Sequence, residues 1–339
     1  MAEARRARRA TIATIAQEAG VSVPTVSRVL NGRSDVSAST RTRVEAVISQ
    51  HGYRRRGATG VPPAPVIDVV FPELDGAWAV EVMRGVTRVA REVGLMVNLS
   101  ESAPRTAPGQ GWVDAVLARR PTGVILVVFD LTDEQHEQLT SRGIPFVVLD
   151  PAGEPAEGVP AIGSANWNGG MAVARHLLQL GHRRIGVIGG PPDLLCSRAR
   201  LDGYRAAMDM AGLPVDPGLV RSGDFHVEGG QAAARALLRL PDRPTAVFAG
   251  SDLQALGVYE AARELGIRIP DELSVVGYDD LPVARWVGPP LTTVHQPLAE
   301  MAEMAARTVI TMSRGVAPVT RRLDLATSLV VRQSTAPPR

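Results

Sequence analysis

Several polar and aromatic residues in this sequence stand where short apolar runs end and side chains can leave the core. Asp150 closes FVVLD, Ser251 and Asp252 follow AVFAG, and Asp279 closes VVGYD. Phe225 follows the run 219–224, and Trp78 and Trp112 follow the first two runs of the large domain. Short runs rich in Val and Ile read as buried strands. In open α/β sheets, ligands bind beyond the carboxyl ends of such strands. Carboxylates beside aromatic walls suit a polyol, because charge-assisted hydrogen bonds hold hydroxyls while a ring face covers the apolar side of a sugar. Plainer readings stand beside these. Asp252 reads first as a helix N-cap, Asp280 as a cap or structural ion pair, and Trp112 equally well as packing within its own lobe. Cys196 reads as a pocket-wall or core residue, since nothing nearby would depress its pKa.

No catalytic constellation accompanies them. HExxH, metal-spaced cysteines and a P-loop are absent. GGP at 189–191 lacks the GxGxxG order and the acidic partner of a dinucleotide site. The expectation is a binding protein rather than an enzyme, with no cofactor and no metal.

The elements that must position these residues follow from periodicity. Strand candidates are 66–71, 95–100, 123–128, 146–150, 184–189, 246–250 and 273–279, with amphipathic helical stretches between them. Repeated βαβ units imply parallel sheets flanked by helices. A division near residue 163 suggests two lobes. The 339 residues, 45% hydrophobic and 21% charged, suit a soluble chain with one small and one large domain. One cysteine excludes an intrachain disulfide and fits a reducing cytosol. No apolar run approaches the roughly 20 residues of a membrane span. Met1 to Ala10 carries four arginines and no apolar stretch after them, so a secretory signal is not expected.

Charge is unevenly placed. Residues 1–60 hold eleven arginines against four acids, and the rest hold twenty-six against thirty-one; there is no lysine. A basic head on an acidic body points to a polyanion partner, with a solvated basic tail as the plainer alternative. In the head, Ile12, Ile15, Ala16 and Ala19 mark a helix from Thr11 to Ala19, capped by Thr11 and ended by Gly20. Ser22 caps a second helix, Val23 to Leu30, which buries Val26, Val29 and Leu30 and stops at Asn31-Gly32. Ser37 caps a third, Ala38 to Gln50, with Val44, Val47 and Ile48 facing inward and Gly52 ending it. Helix, glycine turn and short helix make a helix-turn-helix, whose second helix points its first residues at base edges in the major groove.

The run TIATIAQEAGVSVPTVSRVLNG, followed by VSASTRTRVEAVISQHGY, resembles the DNA-binding domain of the lac repressor (LacI/GalR) family. HLLQLGHRRIGVIGGP, SRARLDGYRAAM, PTAVFAGSDLQALGVYEAARELGIRIPDELSVVGYDD and PPLTTVHQP resemble that family's effector-binding domain, so the resemblance spans nearly the whole chain. It implies an all-α helix-turn-helix head and an α/β two-lobed, periplasmic-binding-protein-like domain. The implied divisions are 1–53 for the head, 54–65 for the linker and 66–335 for the effector-binding and dimerisation domain. Lobe 1 would hold about 66–163 and 292–320, and lobe 2 about 164–291 and 321–335, with crossings near 163, 291 and 320.

The same resemblance assigns roles. Val23, Pro24 and Arg28 occupy base-reading positions; Arg28 suits guanine, while Val23 and Pro24 can meet only a thymine methyl or sense shape. Thr11, Ser22, Thr25, Ser27 and Asn31 occupy phosphate-holding positions, each hydroxyl also suiting a plain helix cap. The linker RRRGATGVPPAP departs from the family's hinge helix. Gly57, Gly60 and three prolines oppose a helix, and Pro62 stands where a wedge leucine is expected. Arg54, Arg55 and Arg56 either grip phosphates or a narrow minor groove, or belong to a flexible linker. Arg200, Asp279 and Phe225 match effector-holding positions, with Trp78, Asp150 and Ser251 beside them, and His182 and His295 are structural. The implied partners are a two-fold symmetric operator duplex, a sugar-like effector and a second copy meeting through residues 78–93 and 281–286; no membrane is implied. The expected protein is a cytoplasmic, nucleoid-associated repressor of carbohydrate-utilisation genes. A transport receptor, a regulator sensing a nucleobase or amino acid and, more distantly, a sugar-modifying enzyme remain open, as does the sign of regulation.

Overall fold

The computed structural model describes residues 11–30, 36–51, 64–74, 76–103 and 107–339. The head folds as α1 (Ile12–Glu18), α2 (Val23–Leu30) and α3 (Ala38–Gln50). Thr11 and Thr14 form a reciprocal capping box, each hydroxyl accepting the other's backbone N–H. Gly20, at φ +63°, makes the left-handed turn between α1 and α2. Ser22 then accepts the Thr25 N–H and opens α2. Ile15, Ala16, Ala19, Val26, Val29 and Val44 are the buried centre, so helical spacing in three short segments converges on one small core.

The body begins with β1 (Ala64–Phe71), α4 (Gly76–Glu92), β2 (Met96–Glu101), α5 (Gln110–Arg119), β3 (Pro121–Val127), α6 (Asp133–Ser141), β4 (Phe146–Leu149) and β5 (Ala161–Ser164). There follow α7 (Asn166–Gln179), β6 (Ile185–Gly189), α8 (Leu195–Met210), β7 (Val220–Ser222), α9 (Val227–Leu238), β8 (Ala246–Ala249), α10 (Asp252–Glu264), β9 (Ser274–Asp279) and β10 (Thr292–His295). The last elements are α11 (Leu298–Ser313), β11 (Arg322–Leu325) and β12 (Ser328–Val330). One sheet runs β11-β5-β4-β3-β1-β2, all parallel. The other runs β12-β10-β9-β8-β6-β7, parallel except for β12 at its edge. The inner strands are buried on both faces, which explains their unbroken apolar runs.

The chain passes between lobes three times, at Ala165, at Gln296 and at residues 326–327. Each passage leaves the carboxyl end of a parallel strand, so both sheets aim their carboxyl ends at one shared cleft. Two boundaries read from sequence need correction. Thr292–His295 belongs to the second sheet, and Arg322–Leu325 to the first. Four-residue strands carry too little periodicity to mark a crossing, and sequence placed both divisions before the strands instead of after them. The passages are tied together: Ala165 donates its N–H to the Leu325 carbonyl at 2.8 Å, and the Thr327 hydroxyl donates to the Ala165 carbonyl at 3.2 Å.

In the second lobe α7 and α8 touch through glycine. A Cβ on Gly170 would lie 2.0 Å from the Arg200 carbonyl oxygen, and one on Gly203 would lie 1.9 Å from that of Trp167. This contact sets the start of α7 against the middle of α8. Gly203→Ala forces the helices apart, and overpacking of this kind costs about 1–3 kcal/mol or more. Thermal denaturation should show a melting temperature several degrees lower; an unchanged midpoint would mean that the helices have room to spare.

Candidate functional site

Arg200, on α8, is the centre of the cleft. Only 5% of it is exposed. Nε donates to Asn166 Oδ1 at 2.8 Å, Nη1 to the Gly250 carbonyl at 2.6 Å and Nη2 to Gln296 Oε1 at 3.1 Å. Asp279 Oδ1 lies 3.9 Å from Nη1. The guanidinium carbon sits 3.6 Å from the Tyr278 ring centroid and 5.6 Å from that of Phe225. A buried cation is tolerable only when paired, hydrogen-bonded and, for arginine, stacked. These contacts come from α7, the end of β8, the end of β9 and the crossing at Gln296.

Two buried carboxylates share that cation. Burial pushes Asp150 above the usual carboxylate range; Arg200 opposes the rise and Asp324 adds to it. Burial pushes Asp279 up to about 7, against Arg200 and with Asp150. Backbone strain gathers here too. Val128, Asp150, Phe225, Asp279 and Asp280 all have positive φ, each at or beyond the carboxyl end of a strand of the cleft. Non-glycine residues in such conformations cost of order 1–3 kcal/mol each and cluster at ligand sites.

Beside Arg200 lies a cavity of about 360 Å³ lined by Asp150, Ser164, Asn166, Trp167, Cys196, Arg322 and Asp324, among others. Its size is that of a small-molecule pocket, about 300–1,000 Å³. The Ser164 hydroxyl is buried with no partner in the protein. A cavity of about 440 Å³ lies elsewhere in the second lobe, against Arg175, Arg183 and Met210. Its polar lining is Arg175, Gln179 and Arg183, with no carboxylate and none of the Arg200 cluster.

Arg200, Asp279, Asp150 and Phe225 are thus brought together. The Phe225 ring lies against Gly190, where a Cβ would meet it at 2.0 Å. Ser251 has a structural task at the start of α10. It caps α10, accepting the Gln254 N–H, and donates to the Phe225 carbonyl at 3.0 Å, so it positions the phenylalanine loop. Asp252 is not the cap. Its buried carboxylate accepts from Leu281 N at 2.7 Å and Thr293 Oγ1 at 2.5 Å, fastening the loop after β9 to β10. Asp280 pairs with Arg332 at 2.5 Å and His295 at 3.2 Å. His182 is buried between Thr245 and Ser274. Trp78 packs edge-on against Phe71, and Trp112 donates to Ser100, so both are held within the first lobe. Cys196 lines the cavity, and burial pushes its thiol up to about 12.

Sequence reasoning missed Asn166, Gln296, Tyr278 and Trp167. Asn166 and Trp167 directly follow the first crossing, at the start of α7, where no local pattern shows what they touch. Among the described residues no group of His, Cys, Asp or Glu could hold a metal ion, and no helix is long and apolar enough to cross a membrane.

In the head, α2 turns Val26 and Val29 inward and leaves Val23, Pro24 and Arg28 exposed on its other side. Thr25 and Ser27 are partly exposed. The Thr11 and Ser22 hydroxyls both serve as caps. Asn31 and Arg54, Arg55 and Arg56 lie outside the described residues.

Residues 11–56 match the model for bacterial regulatory proteins of the lacI family, and residues 174–335 match that for a periplasmic binding protein-like domain. The transcriptional regulator CelR of Thermobifida fusca is 36% identical, covering 97% of this chain and 99% of its own. A solved CelR–cellobiose complex is 35% identical, covers 96% of this chain and all of its own, and superposes with a TM-score of 0.73. The lac repressor dimer bound to operator and the anti-inducer ONPF is 29% identical, covers 97% of this chain and all of its own, and gives 0.70.

The raised Asp279 makes stability depend on pH. The native state holds this proton more tightly than the unfolded chain, whose carboxyl stays near 3.8. Its contribution is therefore complete below about pH 4 and is lost as pH rises through about 7. Asp150 and Asp252 are shifted in the same direction. Asp279→Asn should flatten this decline in urea midpoints measured from pH 4 to 8; parallel curves for the two proteins would mean that Asp279 is ionised throughout.

Proposed function

The chain belongs to the lacI family of bacterial regulatory proteins, and from that premise we propose a homodimeric repressor whose hold on operator DNA is set by a sugar-like effector in the cleft. The observation that carries the effector reading is the Arg200 cluster. A cation, two carboxylates and an aromatic ring converge in the cleft, Asp150 and Asn166 of that cluster also line the cavity beside it, and hydroxyl groups are the ligand chemistry that such a set satisfies. That CelR has been solved with cellobiose supports carbohydrate over nucleobase or amino acid. A transport receptor would have no use for the head.

In the head, Arg28 reads guanine, Val23 and Pro24 touch thymine methyls or follow groove shape, and Thr25 and Ser27 hold phosphates. The Ser22 and Thr11 hydroxyl oxygens keep accepting their cap N–H groups, and their O–H groups donate to phosphate oxygens of the same strand. The dimer forms through α4 and the segment at 281–286. Val80 on α4, Met96 and Leu99 on β2, and Trp286, 79% exposed, are the apolar side chains that such a surface would cover. Two heads then meet the two half-sites of a symmetric operator. The effector alters the relative lobe orientation and so the head spacing.

Arg28→Ala should weaken binding to the specific operator by about 1–3 kcal/mol while largely sparing random duplex. Gel-shift titration of both duplexes at one salt concentration checks this, and equal losses would leave Arg28 no part in reading sequence. Asp279→Asn should keep operator affinity and lose the effector response; a normal response would place the effector elsewhere.

A further inference from the structure

The cavity beside Arg200 has two unlike ends. Its inner end is buried and polar: the Asp150 carboxylate and the Ser164 hydroxyl, which has no protein partner. Its outer end is exposed and carries an indole. Trp167 is 43% exposed, and Arg322 and Asp324 stand beside it on β11. From this we infer that the effector is a glycoside of at least two rings, with its second ring lying on Trp167. The inference rests on the carbohydrate reading above and adds the size of the ligand and the subsite that measures it.

Three observations support it. The cavity volume of about 360 Å³ lies within the range of small-molecule pockets, about 300–1,000 Å³, and exceeds what one hexose ring fills. A second ring can therefore lie towards the rim, where Trp167 stands. The Trp167 backbone is fixed, since its carbonyl packs directly on Gly203, so the indole hangs from a rigid helix start. An exposed indole on a rigid support is a ready apolar face for a sugar ring. Arg322 and Asp324 are two residues apart on one strand and so share a face. The Arg322 ion pair, to Glu154 at 3.0 Å, is with a residue 83% exposed. Such a pair contributes little, and a ligand hydroxyl can replace it at small cost.

Isothermal titration of the full chain with glucose, galactose and xylose, and with cellobiose, maltose, lactose and xylobiose, tests the inference. At least one disaccharide should bind about tenfold or more tighter than its own monosaccharide, a difference of about 1.4 kcal/mol. Trp167→Ala should remove that advantage and leave the monosaccharide dissociation constant within about twofold, whereas Trp167→Phe should keep most of it. Disaccharide binding should also shift tryptophan emission in the parent and not in Trp167→Phe. If Trp167→Ala binds the disaccharide as the parent does, or weakens both sugars equally, the second subsite is wrong. If a monosaccharide binds as tightly as any disaccharide, the subsite falls while the carbohydrate reading stands. If no sugar in the panel binds a chain that still holds DNA, both fall together.

Discussion

A guanidinium with almost no access to water must find its partners inside the protein, and Arg200 draws its partners from several segments of the second lobe and from the crossing at Gln296. Desolvating an arginine is costly, and the cost is met only if several donors are used at once. Three of its contacts are carbonyl or amide oxygens, one is a carboxylate, and one is the face of Tyr278. These partners come from four separate segments, with Tyr278 and Asp279 both on β9, so the segments must arrive in register for the charge to be tolerable. The glycine contacts between α7 and α8 serve this: they bring Asn166 within reach of α8. The strained backbone at Asp279 and Phe225 serves it too, turning a carboxylate and a ring back towards the guanidinium. Removing any one partner leaves the charge in place and the burial uncompensated.

The cluster is well arranged for a ligand and poorly arranged for rest. Asp150 and Asp279 face one cation, and both are pushed towards the protonated form. A ligand hydroxyl that donates to either carboxylate favours ionisation and relieves the frustration. Serine 164 presents a hydroxyl that nothing in the protein satisfies. Groups of this kind cost stability while the pocket lacks a polar ligand, and they gain when hydroxyls arrive. The cleft thus gives up stability of the bare fold in favour of the bound state.

Much of this was legible in the sequence, for identifiable reasons. The head was readable nearly to the residue, because Thr11, Ser22 and Ser37 are caps with short side chains and the valines repeat at helical spacing. The long strands were readable because parallel, doubly buried strands are unbroken apolar runs. The short strands at Thr292–His295 and Arg322–Leu325 were not, since four residues hold too little pattern and their burial depends on neighbours distant in sequence. The same limit explains Ser251 and Asp252. Adjacent residues at a helix start both have cap chemistry, and only the position of Leu281 and Thr293 shows which carboxylate is occupied elsewhere. Asn166 and Gln296 bond to Arg200 across 34 and 96 positions of chain, beyond any local pattern.

How a small ligand acts on DNA bound by a separate head follows from where the charges come from. A ligand moves an equilibrium between two lobe arrangements only if it binds them unequally. One that touched the second lobe alone would bind both equally and change nothing. Arg200 and Asp279 belong to the second lobe, but Asp150 and Ser164 belong to the first, and Gln296 lies on a crossing between them. A ligand that bridges Asp150 and Arg200 therefore measures the distance between lobes. The crossings at Ala165 and Thr327 are bonded to one another, which staples two of the three strands of the hinge side by side. The first lobe leads directly through β1 to the linker and the head. Whatever fixes the lobe angle also fixes where that strand begins, and operator DNA, by holding two heads at one spacing, must return the same coupling energy to the pocket.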